Sequence, residues 1–253
     1  MDLSERRGGS TRRHPWEKAR ANFFKSVVRE VRSSHDPIRV LDVGAGDGYL
    51  ARTLFDELPA GSRVVCFDSN YSDEDLDLYG RQSPDGMSFT REPPQGTFDV
   101  MLLLDVIEHV PDDVAFLREL TQRHLAADGT AVISVPAYQA LFSKHDEALR
   151  HYRRYSPAQF RRVIEGQGLT IEKQGGLFHS LVVPRALSVA REKLLRLMGK
   201  EPALPSAADD WNHGPFVSTV VDTVLAADNA LTRATTNLRT SLPGLSVWAA
   251  CRR

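Results

Sequence analysis

Three clusters in this chain have residue types and spacing that could do chemistry. The first is Asp42-Val43-Gly44-Ala45-Gly46-Asp47-Gly48. Glycines at alternate positions permit a tight turn and a close backbone approach to a ligand, because no Cβ opposes positive φ. The second is Asp105, Glu108 and His109, just past the apolar run from Val100 to Leu104. The third is the polar stretch 142–156, which carries His145, Asp146, His151, Arg153 and Arg154. Histidine can take a proton near neutral pH, and arginines can hold an anion. Asp68 stands alone at the end of Arg63-Val64-Val65-Cys66-Phe67.

The elements that must position these residues follow from the flanking patterns. Val40, Leu41 and Val43 read as a buried parallel strand, and Tyr49 to Phe55 has helical spacing. Strand, glycine turn and helix open a nucleotide-binding α/β sheet. A dinucleotide fingerprint would need its third glycine at position 49, where Tyr49 stands. Asp68 ends the second strand, where an acid can accept hydrogen bonds from ribose hydroxyls or act only as a cap. The run Phe98 to Leu104 is apolar enough for a central strand covered on both faces. Ligands in open α/β sheets bind beyond the C-terminal strand ends, where Asp105 and His109 fall.

The remaining elements are placed by the same signals. A helix is predicted from Pro15 to about Ser33, with Phe23, Phe24, Val27 and Val28 inward. The helix after the glycine turn should end near Pro59. Residues 72–85 read as an acidic, loop-like stretch with room for a short helix, and Met87–Thr90 as a short strand. A helix from Pro111 should end near Ala127, with Asp128-Gly129 turning into a strand at Thr130–Pro136. Ser156-Pro157 caps a helix to about Gln167, followed by a strand Leu169–Lys173. Residues 177–244 are a helical insert. Its helix from Pro184 to Gly199 carries Leu187, Ala190, Leu194 and Leu197 on one face, with Arg185, Lys193 and Arg196 opposite. A second helix from Pro215 carries Val217, Val220, Val224 and Leu231 at helical spacing. The last strand is Leu245–Cys251.

The glycine turn and the Thr97–Val110 block together resemble the class I S-adenosylmethionine (SAM) methyltransferases, in the large bacterial subgroup that includes quinone and natural-product methyltransferases. The resemblance covers about Trp16 to Gly176. It implies a Rossmann-like seven-stranded α/β sheet in the order 3-2-1-4-5-7-6, with a helical insert before the last strand. It also implies SAM as cofactor, held by Asp42, Gly44, Ala45, Gly46, Gly48, Asp68, Ser69 and Asp105. Arg20, one turn after Trp16, would lie near the cofactor's mouth. In many relatives an acid after the third strand holds the adenine; here Arg91 and then Glu92 stand there. Several bacterial members carry a similar Asp, His and Arg-Arg-Tyr run after the fifth strand. Asp146, His151 and Arg154 therefore either face the acceptor or form a buried network that pins the loop. His109 and His151 are the candidates for taking the acceptor's proton, with His151 favoured.

Composition narrows the rest. The chain has 253 residues and a formal net charge of -1, which gives no case for nucleic-acid binding. Its two cysteines, Cys66 and Cys251, sit in apolar runs and read as buried free thiols of a cytoplasmic protein. No cysteine spacing suits a metal and no metal site is expected. Residues 1–14 read as a disordered basic tail, and 15–253 as a single domain with the insert at about 177–244. The reading is methyl transfer from SAM to an O, N or C atom of a small-molecule acceptor. Two alternatives compete with it: a glycan or lipid-linked acceptor at a membrane surface, and a SAM-binding protein without methyl transfer. The sequence does not indicate an oligomeric state.

Overall fold

A computed structural model of the protein describes residues 13–32, 35–201, 214–238 and 240–253. The first twelve positions of the expected tail lie outside these, as do Trp211 and His213. Seven strands form one sheet: β1 (Arg39–Val43), β2 (Arg63–Phe67), β3 (Met87–Thr90), β4 (Phe98–Leu104), β5 (Leu125–Pro136), β6 (Thr170–Leu177) and β7 (Ser246–Arg252). Their order is β3-β2-β1-β4-β5-β7-β6, as expected. The first five run parallel, while β7 runs antiparallel between β5 and β6.

The continuous apolar strands are explained by the two layers that cover them. Val40, Val100, Leu102 and Val132 face α1 (Pro15–Val31) and α2 (Tyr49–Phe55), with Phe23 edge-on to Trp248 at 5.0 Å. Leu41, Met101, Leu103 and Ile133 face α4 (Asp113–His124) and α6 (Pro157–Glu165) through Leu117, Leu120, Phe160 and Ile164. Successive side chains on a strand point to opposite faces, so each layer claims alternate residues.

Several boundaries differ from the sequence expectation. Residues 73–81 form α3 (Asp73–Arg81), so the short helix open to this acidic stretch takes up most of it. Ser72 and Asp75 make a reciprocal capping box, and three acids in the first turn complement the helix dipole. Helix α2 stops at Phe55, short of Pro59. Strand β5 starts at Leu125, and Asp128-Gly129 runs within it rather than turning the chain. Strand β6 continues through Gly175 and Gly176 to Leu177. Both glycines are needed there: a Cβ on Gly176 would lie 2.2 Å from the Leu242 carbonyl oxygen.

The insert holds α7 (Val182–Leu197) and α8 (Pro215–Asn237). Pro184 falls inside the first turn of α7, where a missing N–H costs nothing. Helix α8 lies along α1 and β6: Asn229 donates to the Ala19 carbonyl at 2.8 Å and Thr232 to the Gly176 carbonyl at 3.1 Å. Helix α7 reaches the loop past the C-terminal end of β5. It meets that loop with its basic face and not its apolar one. Leu187, Leu194 and Leu197 are exposed, while Arg185 points inward onto Asp146. On α8 the exposed Val217, Val220 and Val224 are likewise not the packed stripe; Leu225 is. A buried carboxylate outweighs local hydrophobic periodicity in deciding which face turns in.

Candidate active site

The glycine turn joins β1 to α2 and folds over the tip of β2. Gly44, Gly46 and Gly48 all have left-handed φ, at 66°, 56° and 69°. They serve different purposes. A Cβ on Gly44 would come within 2.8 Å of Val106, and one on Gly48 within 2.6 Å of the Phe89 ring. Gly46 donates its amide to Asp68 at 3.1 Å, and its carbonyl accepts from the buried Tyr71 hydroxyl at 2.6 Å. The other Asp68 oxygen accepts the Asn70 amide at 3.0 Å. Asp68 thus braces the turn and keeps lone pairs for a further donor. Ser69 lies exposed beside it.

A cleft opens between α1 and this turn. Glu17, Arg20, Ala21, Asp42, Gly44, Ala45, Asp47 and Tyr49 line it, with Leu50 and Leu104. Arg13 pairs with Asp47 and lies over the Tyr49 ring at 4.2 Å. His14 caps α1, so the last two residues of the expected tail are built into the site's rim. Burial would raise the Asp47 carboxyl, but its bond to Arg13 holds it below the usual range. Arg20 donates to the Leu104 carbonyl at 2.6 Å and pairs with Asp105 at 2.7 Å. Asp105 itself has φ 58°, a left-handed conformation that Arg20 and the Ser134 hydroxyl, at 3.3 Å, help to hold. Arg91 pairs with Asp73 at 2.8 Å on the surface.

Burial pushes the Asp42 carboxyl up to about 7. The ordinary unfolded value is about 3.9. Between the two, the unfolded chain has released this proton and the folded chain has kept it, so stability falls as pH rises through that window. Asp42→Asn removes the effect. The ligand-free variant is expected to exceed the natural chain in stability at pH 8 by on the order of 4 kcal/mol, and to match it near pH 4. Thermal scans at the two pH values check this.

The second and third clusters meet past the ends of β4 and β5. The His109 and His151 rings stand 4.6 Å apart, edge to face at 85°. The Tyr152 amide donates to the Glu108 carbonyl at 2.8 Å, tying the two loops together. His151 Nδ1 lies 3.0 Å from Asp146. The fully buried Asp146 also receives Arg154 at 2.7 Å and Arg185 at 2.6 Å. Burial alone would raise its carboxyl; the bond to His151 and the charge of Arg154 hold it well below the usual range. Asp146, His151 and Arg154 therefore form a buried network, one of the two readings open to this run, and Arg185, drawn from α7, extends it. Arg153 turns away to Asp113 at 3.0 Å. Burial and the neighbouring Arg185 depress the His145 imidazole.

Buried carboxyls beside a glycine turn, with one arginine at the far end, suit a ligand carrying an ammonium and a carboxylate. Sequence comparison decides the family. The sequence model described as "Methyltransferase domain" matches residues 12–174. The chain belongs to this family. It is a class I SAM-dependent methyltransferase by family, and S-adenosylmethionine is its cofactor. A ubiquinone biosynthesis O-methyltransferase of Xanthomonas euvesicatoria pv. vesicatoria (strain 85-10) is 28% identical over 165 residues. That match spans 56% of this chain and 66% of the relative, just under two thirds of its length. The fold is shared with an S-adenosylmethionine-dependent methyltransferase from Mesorhizobium loti (15% identity, TM-score 0.54, covering 90% of this chain and 96% of the other). It is also shared with one from Archaeoglobus fulgidus (16%, 0.52, covering 94% and 97%).

Arg13, Asp47 and Arg185 are site residues that sequence reading did not single out for these roles. Among the described residues no helix is long and apolar enough to cross a membrane.

Proposed function

We propose that this methyltransferase moves the methyl group of SAM onto an oxygen, nitrogen or carbon atom of a small molecule, with a hydroxyl favoured by the likeness to a ubiquinone biosynthesis O-methyltransferase. The observation that carries the reading is the pairing of two sites on one sheet edge. The cofactor-type cleft at the glycine turn and the His109–His151 pair leave adjacent strands, and Val106, three residues before His109, packs against Gly44.

Asp68 would hold the ribose, Gly44 to Gly46 would pass under the cofactor, and Arg20 would meet its carboxylate end. Bound there, SAM supplies a methyl group on a sulfonium sulfur, to which the electron pair of the broken bond returns. The chain's own work is alignment, exclusion of water, and care of the acceptor's proton. His151, held by Asp146 through Nδ1, presents Nε2 for that proton.

Two measurements test this. The purified protein, SAM and a panel of hydroxylated aromatic acceptors should give a product heavier by one methylene, read by mass spectrometry. Calorimetric titration with S-adenosylhomocysteine reads the cofactor site separately. Asp68→Ala is expected to weaken that titration by about 2–4 kcal/mol, through loss of charge-assisted ribose bonds. Gly46→Val, which puts a β-branched residue at positive φ, is expected to abolish it. Unchanged affinity in both variants would remove the cofactor site from this turn.

A further inference from the structure

Glu108 is the least explained group in the site. It lies three residues after Asp105, behind Val106 and Ile107, and its side chain is fully buried. Neither carboxylate oxygen has a hydrogen-bond partner among the described residues. An acid buried without a partner costs several kcal/mol unless a cation meets it or it stays protonated.

The two histidines lie beside it. One ligand atom from each of Glu108, His109 and His151 falls within 4.8 Å of the others. Metal–ligand bonds of about 2.0–2.2 Å require donors somewhat closer than that, a contraction that small side-chain rotations supply. His151 also carries the support that metal-binding imidazoles need. Its Nδ1 faces the Asp146 carboxylate, which fixes the ring and leaves Nε2 as the ligand atom. Asp146 is in turn fixed by two arginines. No local spacing rule exposes this set, because Glu108 and His109 are adjacent and His151 comes from another loop.

We propose that Glu108, His109 and His151 form a binding site for one divalent first-row metal ion. Two imidazoles and a carboxylate suit zinc, manganese or iron more than calcium. Three protein ligands leave at least one position open for an acceptor oxygen. The catalytic half of the inference rests on the methyltransferase reading and deepens it. An acceptor hydroxyl on the cation would lose its proton to water more readily, and the oxygen would keep the pair that forms the new bond to carbon. His151 Nε2 then holds the metal rather than the proton.

The test uses the whole protein, stripped with a chelator and titrated calorimetrically with Zn²⁺ and, separately, Mn²⁺. About one ion per chain is expected. Glu108→Gln and His109→Asn should each weaken binding at least tenfold, and Asp146→Asn by about 10- to 100-fold. Circular dichroism and the S-adenosylhomocysteine titration confirm that each variant is folded. Where a variant does not fold, Co²⁺ bound to the natural chain decides, since imidazole ligands at a four- or five-coordinate site give intense visible bands. Absence of saturable binding, natural affinity in both Glu108→Gln and His109→Asn, or a spectrum of the hydrated ion alone would overturn the proposal. If the metal binds and S-adenosylhomocysteine does not, the methyltransferase reading falls and the metal site stands.

Discussion

Exchanging His151 for glutamine should lower methyl transfer by a factor of about 10² to 10⁴ and leave S-adenosylhomocysteine affinity unchanged. The factor is what loss of a positioned proton acceptor costs. The unchanged affinity follows from position: His151 sits past β5, where Asp146 and His109 surround it, away from the turn that Asp68 braces. Glutamine keeps roughly the volume and a polar tip, so the bond to Asp146 can be replaced and the loop need not move. Steady-state rates with the true acceptor, compared with calorimetry, separate the two effects. Natural turnover in both His151→Gln and His109→Gln would mean that neither ring handles the proton and that alignment alone drives the reaction. A rate that falls with His151→Gln and also with chelation of the natural enzyme would favour the metal over a free base.

Replacing Asp146 by alanine should cost about 3–5 kcal/mol of stability, the largest loss expected of any single exchange here. The change leaves Arg154, itself 6% exposed, and Arg185 aimed at one another without the charge that joins them. Removing one partner of a buried ionic cluster is worse than never having built it, because the others stay dehydrated. The pH dependence has a definite sign. The folded-state carboxyl lies below its unfolded value, so the contribution is complete above about pH 4 and disappears as acid protonates Asp146. Urea denaturation at pH 7 should show the full difference between the two proteins, and the difference should shrink only in strong acid. An Asp146→Ala protein as stable as its parent at pH 7 would show that the cluster contributes position and not stability.

What was legible in the sequence was what the backbone and the sheet impose locally. The continuous apolar run of β4 can only be a strand covered on both faces, and the glycines at positive φ can only be a turn. The start of β5 was not legible. Leu125-Ala126-Ala127 continues a helical pattern, and Asp128-Gly129 reads as a turn, until the pairing of Leu125 with Phe98 fixes the register. Which face of α7 turns inward was not legible for a related reason. Leu187, Leu194 and Leu197 give a clear stripe, but what turns the helix is Asp146, thirty-nine residues before Arg185. In the site, Asp68 and the two histidines were readable as types at strand ends. That Glu108 is sealed in without a partner depends on the loop carrying Tyr152 closing over it, which no local pattern encodes.

The antiparallel seventh strand has a consequence for how the chain comes to be folded. Strand β6 touches the sheet only through β7, which follows it after the whole of the insert. During synthesis β5 and β6 must therefore wait, with two unpaired edges, until Ser246–Arg252 has been made. Closing so long a loop carries an entropic cost before any pairing rewards it. The parallel half, β1 to β5 with its glycine turn, can assemble first and shelter its own core. The loop bearing Asp146 and His151 acquires its β5 anchor early but its Arg185 clamp late. A chain arrested before β7 would expose edges prone to joining another copy, so the completion of the Asp146 loop is tied to the arrival of β7.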